Sequence, residues 1–228
     1  MARAATIRTA QGEGPARARQ PALDRRKALI EAARSVFLER GYANASIDAV
    51  VELAGGSKAT VYQLFGNKEG LLAAIVEEGA EELALLVNSL PLDGSPEESL
   101  RTYARNYLGM VLRPERLAMF RLVVGEASRS PEIGDVFYRS GPRRCGHWLA
   151  DFIRGMMVRG QIRAADPERT AFSFIHALRG DLYMQVLLNP TRAPTQAEID
   201  AHIDFVIRNF LEGYRAAGTD APDGATIG

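Results

Sequence analysis

One cysteine, Cys145, stands in a chain of 228 residues. No disulfide can form within it, and an intracellular, cytoplasmic setting is expected. Net charge is absent as well, since 28 Lys and Arg balance 28 Asp and Glu; any pull on a polyanion must come from uneven distribution of charge. No apolar run approaches the roughly 18–20 residues of a membrane span, so no membrane partner is expected. The start, MARAATIRTAQGEGPARARQ, is basic but has no apolar core and does not read as a secretory signal. Period-two alternation between turns is missing, which argues against strands. A phosphate-binding loop is missing too: Gly56 is followed by Ser57-Lys58, with lysine and hydroxyl in the wrong order and a helical pattern in front. Cys145 with His147, and Glu126 with His176, come nearest to a catalytic pair, yet neither has an orienting third group. Cys145 and His147 also lack further ligands at metal spacing. No enzyme, metal or cofactor is therefore expected.

What the sequence does have is helix starts. Ser95-Pro96-Glu97-Glu98, Ser130-Pro131-Glu132 and Asp166-Pro167-Glu168 set a cap, a proline and an acid in order, and Thr195 to Glu198 is a capping box. Apolar residues at three- and four-residue spacing follow each one. The pattern predicts an all-α fold with helices over 24–40, 46–53, 57–65, 68–89, 96–112, 114–128, 132–140, 142–159, 167–188 and 196–215. Residues 1–20 form a basic arm and 217–228 a tail, both of disordered composition. A head over 21–70 and a body over 71–216 are expected to share one long helix near residue 80.

Charge follows this division. Residues 1–70 hold 11 Lys and Arg against 7 Asp and Glu, and the remainder 17 against 21. A basic end on an acidic body suits a protein that lays one end on a polyanion. Within that end, Ser46 can cap a short helix, Gly55-Gly56 can make a tight joint, and Ser57 can cap the next helix. On helix 57–65, Val61, Leu64 and Phe65 are expected to pack inward, leaving Ala59, Thr60, Tyr62 and Gln63 outward. Gln63 has the paired donor and acceptor that match adenine, Ala59 permits close approach, and Lys58 can reach guanine or phosphate. Tyr62 and Lys68 suit phosphate oxygens. On spacing alone, the same residues would equally serve as a solvated helix face.

Residues 29–72, LIEAARSVFLERGYANASIDAVVELAGGSKATVYQLFGNKEGLL, resemble the DNA-binding domain of TetR-family transcriptional regulators. The likeness runs from Ala-Ala…Phe…Arg-Gly-Tyr to Ser-Lys-x-Thr-x-Tyr…Phe…Asn-Lys-Glu…Leu-Leu. It implies a three-helix head with a helix-turn-helix, a larger helical body that binds a small ligand, and a homodimer on double-stranded operator DNA. Contacts carried over by position are Ser46, Lys58, Ala59, Thr60, Tyr62, Gln63 and Lys68. Two positions depart from the family pattern: Leu64 stands where many members have Tyr or His, and Gly56 where an apolar residue is usual. Arg25, Arg26 and Lys27 could supply the missing phosphate contact.

Residues 119–153 resemble the body of the AefR-like subgroup, through Phe-Arg-Leu-Val-Val…Glu-Ala, Ser-Pro-Glu and Phe-Tyr…Gly-Pro. Apolar seams on the last two helices, Phe174, Leu178 and Leu182 with Ile199, Ile203, Val206 and Phe210, are expected to pair with a second copy. The stripe Trp148, Phe152 and Met156, with Phe120 and Val124 opposite, is the candidate effector pocket. Arg121, His147, His176 and Arg179 are candidates for its polar end. The expected function is a repressor released by a small, mostly apolar effector. The alternatives are a regulator without an effector and a redox sensor through Cys145, whose neighbours Arg143 and Arg144 could favour the thiolate. Arg179-Gly180-Asp181 spells an adhesion tripeptide, but it lies in an apolar helical pattern.

Overall fold

A computed structural model describes residues 15–90 and 94–215, with side chains from residue 23 onward. Among the described residues there are ten helices and no strand: α1 (Pro15–Asn44), α2 (Ile47–Ala54), α3 (Lys58–Phe65), α4 (Lys68–Ser89), α5 (Pro96–Val111), α6 (Pro114–Ala127), α7 (Pro131–Ser140), α8 (Pro142–Val158), α9 (Pro167–Leu188) and α10 (Gln196–Gly213). From α2 onward, each begins and ends within two residues of its expected span.

The first helix differs. It starts at Pro15 instead of residue 24, so residues 15–20 are helical where disorder was expected. Pro15 is compatible with a first helical position, and Ala-Arg-Ala-Arg-Gln after it are strong helix formers. The rest of the arm, and the tail over 217–228, lie outside the described residues.

Caps explain most boundaries. Ser46, Ser57, Asn67, Asp166 and Thr195 each accept a backbone N–H through the side chain, and Thr195 with Glu198 closes a full capping box. Ser95 and Ser130 make no such bond, so α5 and α7 start on their prolines and first-turn acids instead.

Two large apolar cores divide the molecule, and Leu117, Tyr183 and Val186 form a small third cluster between α6 and α9. One holds Leu29, Ile30, Val36, Phe37, Val50, Val61, Leu71, Leu72 and Ile75, and also takes Met119, Val123 and Ile133 from α6 and α7. The other runs from Ala80, Leu83 and Val87 through Leu100, Tyr103, Leu149, Ile153, Phe174 and Leu178 to Ile203 and Phe210. Helix α4 contributes to both, with its start in the first core and its end in the second.

Candidate DNA-reading head and effector cavity

The head is built around the joint between α2 and α3. Gly55 and Gly56 have φ of 73° and 101°, the left-handed region that favours glycine. Arg25 reaches across from α1 and donates Nη1 to the carbonyls of Ala54 (3.2 Å) and Gly55 (3.3 Å), closing the end of α2. A Cβ at Gly56 would stand 3.3 Å from the Arg25 guanidinium carbon. The glycine that departs from the family pattern therefore makes room for Arg25, and Arg25 fastens the joint.

Ser57 caps α3 by accepting the Thr60 amide at 3.2 Å, and the two hydroxyls share a 3.0 Å bond. Val61 is fully buried beneath the helix. Lys58, Ala59, Tyr62 and Gln63 are exposed on the outer side and Thr60 is half-buried at its edge. Lys58 makes a 2.6 Å ion pair with Asp48, itself exposed on α2. Ser46 is exposed where it caps α2, with its hydroxyl 3.2 Å from the Ala49 amide. Arg26 lies over the Phe65 ring at 5.6 Å, and Lys27 is exposed.

Two expectations in the head are corrected. Leu64 does not point into the core: it is 41% exposed. At 100° per residue it falls on the flank above Thr60, away from Phe65, so a helix of eight residues buries only Val61 fully. Lys68 is not a free cation for phosphate. Its ammonium donates to the carbonyls of Tyr42 (2.8 Å), Ala45 (3.1 Å) and Ala43 (3.4 Å), and sits 4.3 Å from the centre of the Tyr42 ring. It satisfies the frayed end of α1 beyond the break at Gly41.

The body contains a cavity walled by α4, α5, α6, the α7–α8 junction and α9. Ile75, Val76, Met110, Met119, Phe120 and Phe137 supply apolar wall; Tyr107, Tyr183, Cys145, Arg34, Arg116, Arg179 and Glu115 supply polar atoms. Its free volume is about 80 Å³, small beside the roughly 300–1,000 Å³ of pockets that enclose a drug-sized ligand. A ligand of more than a few atoms must push the walls apart.

Of the residues expected to line a pocket, Phe120 and Arg179 do so. Phe152 and Met156 belong to the body core, where a helical apolar stripe most often goes. Trp148 lies on a surface cleft with His147, Arg139, Arg143 and Arg144, and the Arg144 guanidinium covers its ring at 5.1 Å. Val124 is exposed, and so is His176, which stacks on Phe172. Arg121 closes the end of α9, donating to the carbonyls of Leu187 (2.6 Å) and Val186 (2.9 Å). The lining that sequence reasoning missed includes Tyr107, Tyr183 and Arg116. A charged residue inside an apolar pattern was the available signal; it marked Arg179, and on α6 it marked Arg121 and passed over Arg116.

Cys145 faces this cavity but is buried, and burial pushes its thiol up to about 11. A thiol held protonated at neutral pH is a poor sensor of oxidants, despite Arg144 nearby. Among the described residues no group of three His, Cys, Asp or Glu side chains could hold a metal ion, and no helix is long and apolar enough to cross a membrane.

The apolar seams of α9 and α10 face inward. Phe174, Leu178, Leu182, Ile203, Val206 and Phe210 are buried within the chain's own core and Ile199 is half-buried against it. They cannot also meet a second copy. The outer faces of the same helices carry a different apolar set: Ala177, Met184 and Leu188 on α9, and Ala201 and Phe205 on α10. Leu188 is 75% exposed and Phe205 65%. Helix α9 is broken at Gly180 (φ 44°, ψ −152°), where His202 of α10 approaches so closely that its Nε2 lies 2.8 Å from the Leu178 carbonyl.

Comparison with known proteins agrees with this layout. Residues 29–75 match the bacterial regulatory protein family named for TetR, and residues 98–216 match the C-terminal domain of AefR-like transcriptional repressors. An HTH-type transcriptional regulator of Mycobacterium tuberculosis is 28% identical over 182 residues, which is 78% of this chain and 84% of that one. The crystal structure of a TetR-family regulator from Mesorhizobium loti superposes with a TM-score of 0.73 at 26% identity, over 85% of this chain and 98% of the other. The flavonoid-responsive regulator FrrA is 30% identical with a TM-score of 0.67, over 83% of this chain and 96% of its own. The exposed helix-turn-helix, the cavity-bearing helical body and these matches over both parts place the chain in the TetR family of DNA-binding, non-enzymatic transcriptional regulators.

Proposed function

We infer that this chain is a repressor that reads a two-fold operator through α3 and lets go of it when a small molecule enters the body cavity. The observation that carries the reading is the outer face of α3, where Lys58, Ala59, Tyr62 and Gln63 stand free of the core on a capped, fastened helix. A rigid element with exposed amide, hydroxyl and small side chains is what base-edge contacts in a major groove need. Leu64, exposed beside them, offers methyl groups where a hydroxyl or imidazole would have met a phosphate. Release by a ligand fits a cavity whose walls are shared between α4, which enters the head core, and α9, which carries the outer apolar face.

Regulators of this family act on operator DNA as dimers. In this chain the outer faces of α9 and α10, centred on Met184, Leu188 and Phe205, are suited to a two-fold four-helix contact. Two heads would then stand one turn of DNA apart, ~34–36 Å. The AefR-like match favours repression, and the flavonoid-responsive relative favours a small aromatic effector. A protein that reads DNA in this way works in the cytoplasm.

Mobility-shift titration with the DNA upstream of its own gene tests the reading. Tyr62→Ala and Gln63→Ala should each weaken binding to the palindrome by about tenfold or more, with the melting temperature unchanged. Equal binding to unrelated DNA of the same length would remove it. Phe205→Asp should leave a folded monomer in sedimentation; a dimer that survives this change lies on another face.

A further inference from the structure

The cavity holds more positive charge than its own walls neutralise. Three arginines and one carboxylate, Glu115, line it. Arg34 is matched, by Glu78 at 2.5 Å and Glu31 at 3.0 Å. Arg116 and Arg179 have no carboxylate within ion-pair distance among the described residues. Their hydrogen bonds go to neutral oxygens: Arg116 Nη1 to the Ile75 carbonyl at 3.2 Å, and Arg179 Nε to the Tyr107 hydroxyl at 2.7 Å. A guanidinium has five N–H donors, so most of these have no protein acceptor.

Both groups are nevertheless held in place. Arg179 lies over the rings of Tyr183 and Tyr107, 5.4 and 5.9 Å from their centres. Arg116 lies against Gly79 so closely that a Cβ there would come within 2.4 Å of its guanidinium. Burial, with Arg34 beside it, pulls the Arg116 guanidinium below its usual value against the opposing pull of Glu82 and Glu78. Carrying an unmatched cation into a protein is costly and is seldom retained where nothing answers it.

The geometry points to a small organic acid as the ligand of this cavity: its carboxylate pairs with Arg179, Arg116 adds to the same positive field, and a compact apolar body lies among Met110, Met119, Phe120 and Phe137. This rests on the reading of the cavity as the effector site and narrows it to one charge class. A planar, charge-assisted pair with a pre-placed guanidinium gives both affinity and orientation. A neutral molecule of the same shape would leave the two cations as they are.

Matched probes decide it. Calorimetric titration of the full chain at neutral pH with 2-naphthoate and 2-naphthamide, and with octanoate and octanamide, separates charge from shape. At least one acid should bind about tenfold or more tightly than its amide. Arg179→Gln should bring the acid down to the level of the amide and leave the amide unchanged. Amides that bind as well as acids, or acids that show no binding at millimolar concentration, would overturn the inference. The comparison of acid with amide needs only the wild-type protein, so a variant that fails to fold does not protect it. Mobility shifts run with the same probes keep the two readings apart. An acid that binds selectively but leaves the operator complex intact supports the ligand class and defeats the effector role. Acid and amide that release DNA equally well do the reverse.

Discussion

The cations of the head and those of the body cavity are kept under opposite conditions. In the head, Arg25 closes the end of α2 and Lys68 gathers three carbonyls at the end of α1. Each has an answer within the chain. In the cavity, Arg116 and Arg179 pair with no carboxylate among the described residues; they meet a carbonyl, a tyrosine hydroxyl and two tyrosine rings. The contrast separates two uses of charge in one small protein. A cation that holds a joint together works in the free molecule and belongs to folding. One that pairs with no carboxylate of the chain is suited to ligand choice.

Substitution can break this contrast. The largest effect is expected for Lys68→Met, which removes the charged donor shared by the carbonyls of Tyr42, Ala43 and Ala45; charge-assisted bonds of this kind are worth about 1.5–3 kcal/mol, readable as a lowered urea midpoint. Gly56→Val comes next, at about 1–2 kcal/mol for a branched side chain forced to positive φ, with a further loss of operator affinity as Arg25 is displaced from the joint. Arg116→Met should fall at the bottom of the scale, within about 0.5 kcal/mol of wild type or more stable, because a half-buried cation with no carboxylate partner is replaced by an apolar side chain of similar length. A loss at Arg116 as large as that at Lys68 would show that the cavity arginines support the fold, and the division would fail.

The two regions also differ in how far the sequence discloses them. The outer face of α3 was legible because it is local: a capping serine fixes the first residue, and 100° per residue then decides that Tyr62 and Gln63 face away from Val61. Leu64 escaped because an eight-residue helix buries a narrower arc than a longer one. The part played by Lys68 escaped because its partners lie 23 to 26 residues earlier. In the body nearly everything that matters is long-range. Periodicity said that Trp148, Phe152 and Met156 share a face, but a gap forms only where neighbouring helices fail to close, and that is not written along any one of them. The same holds for α9 and α10. An apolar stripe such as Ile203, Val206 and Phe210 marks a buried face without saying whether the chain itself or a second copy covers it. Met184, Leu188 and Phe205 are exposed, and no sequence pattern singled them out ahead of the buried seams.

Helix α4 has a thermodynamic consequence. Its 22 residues, a rod of roughly 33 Å, place Leu71, Leu72 and Ile75 in one core and Ala80, Leu83 and Val87 in the other. One continuous helix joins the two cores, so head and body are expected to open together. Binding energy gained at the cavity is therefore spread over the whole chain. Amides of α1 and α2, far from any ligand atom, should exchange with solvent more slowly when the cavity is filled, and it is through that common ledger of opening that the two ends of the molecule are informed of each other.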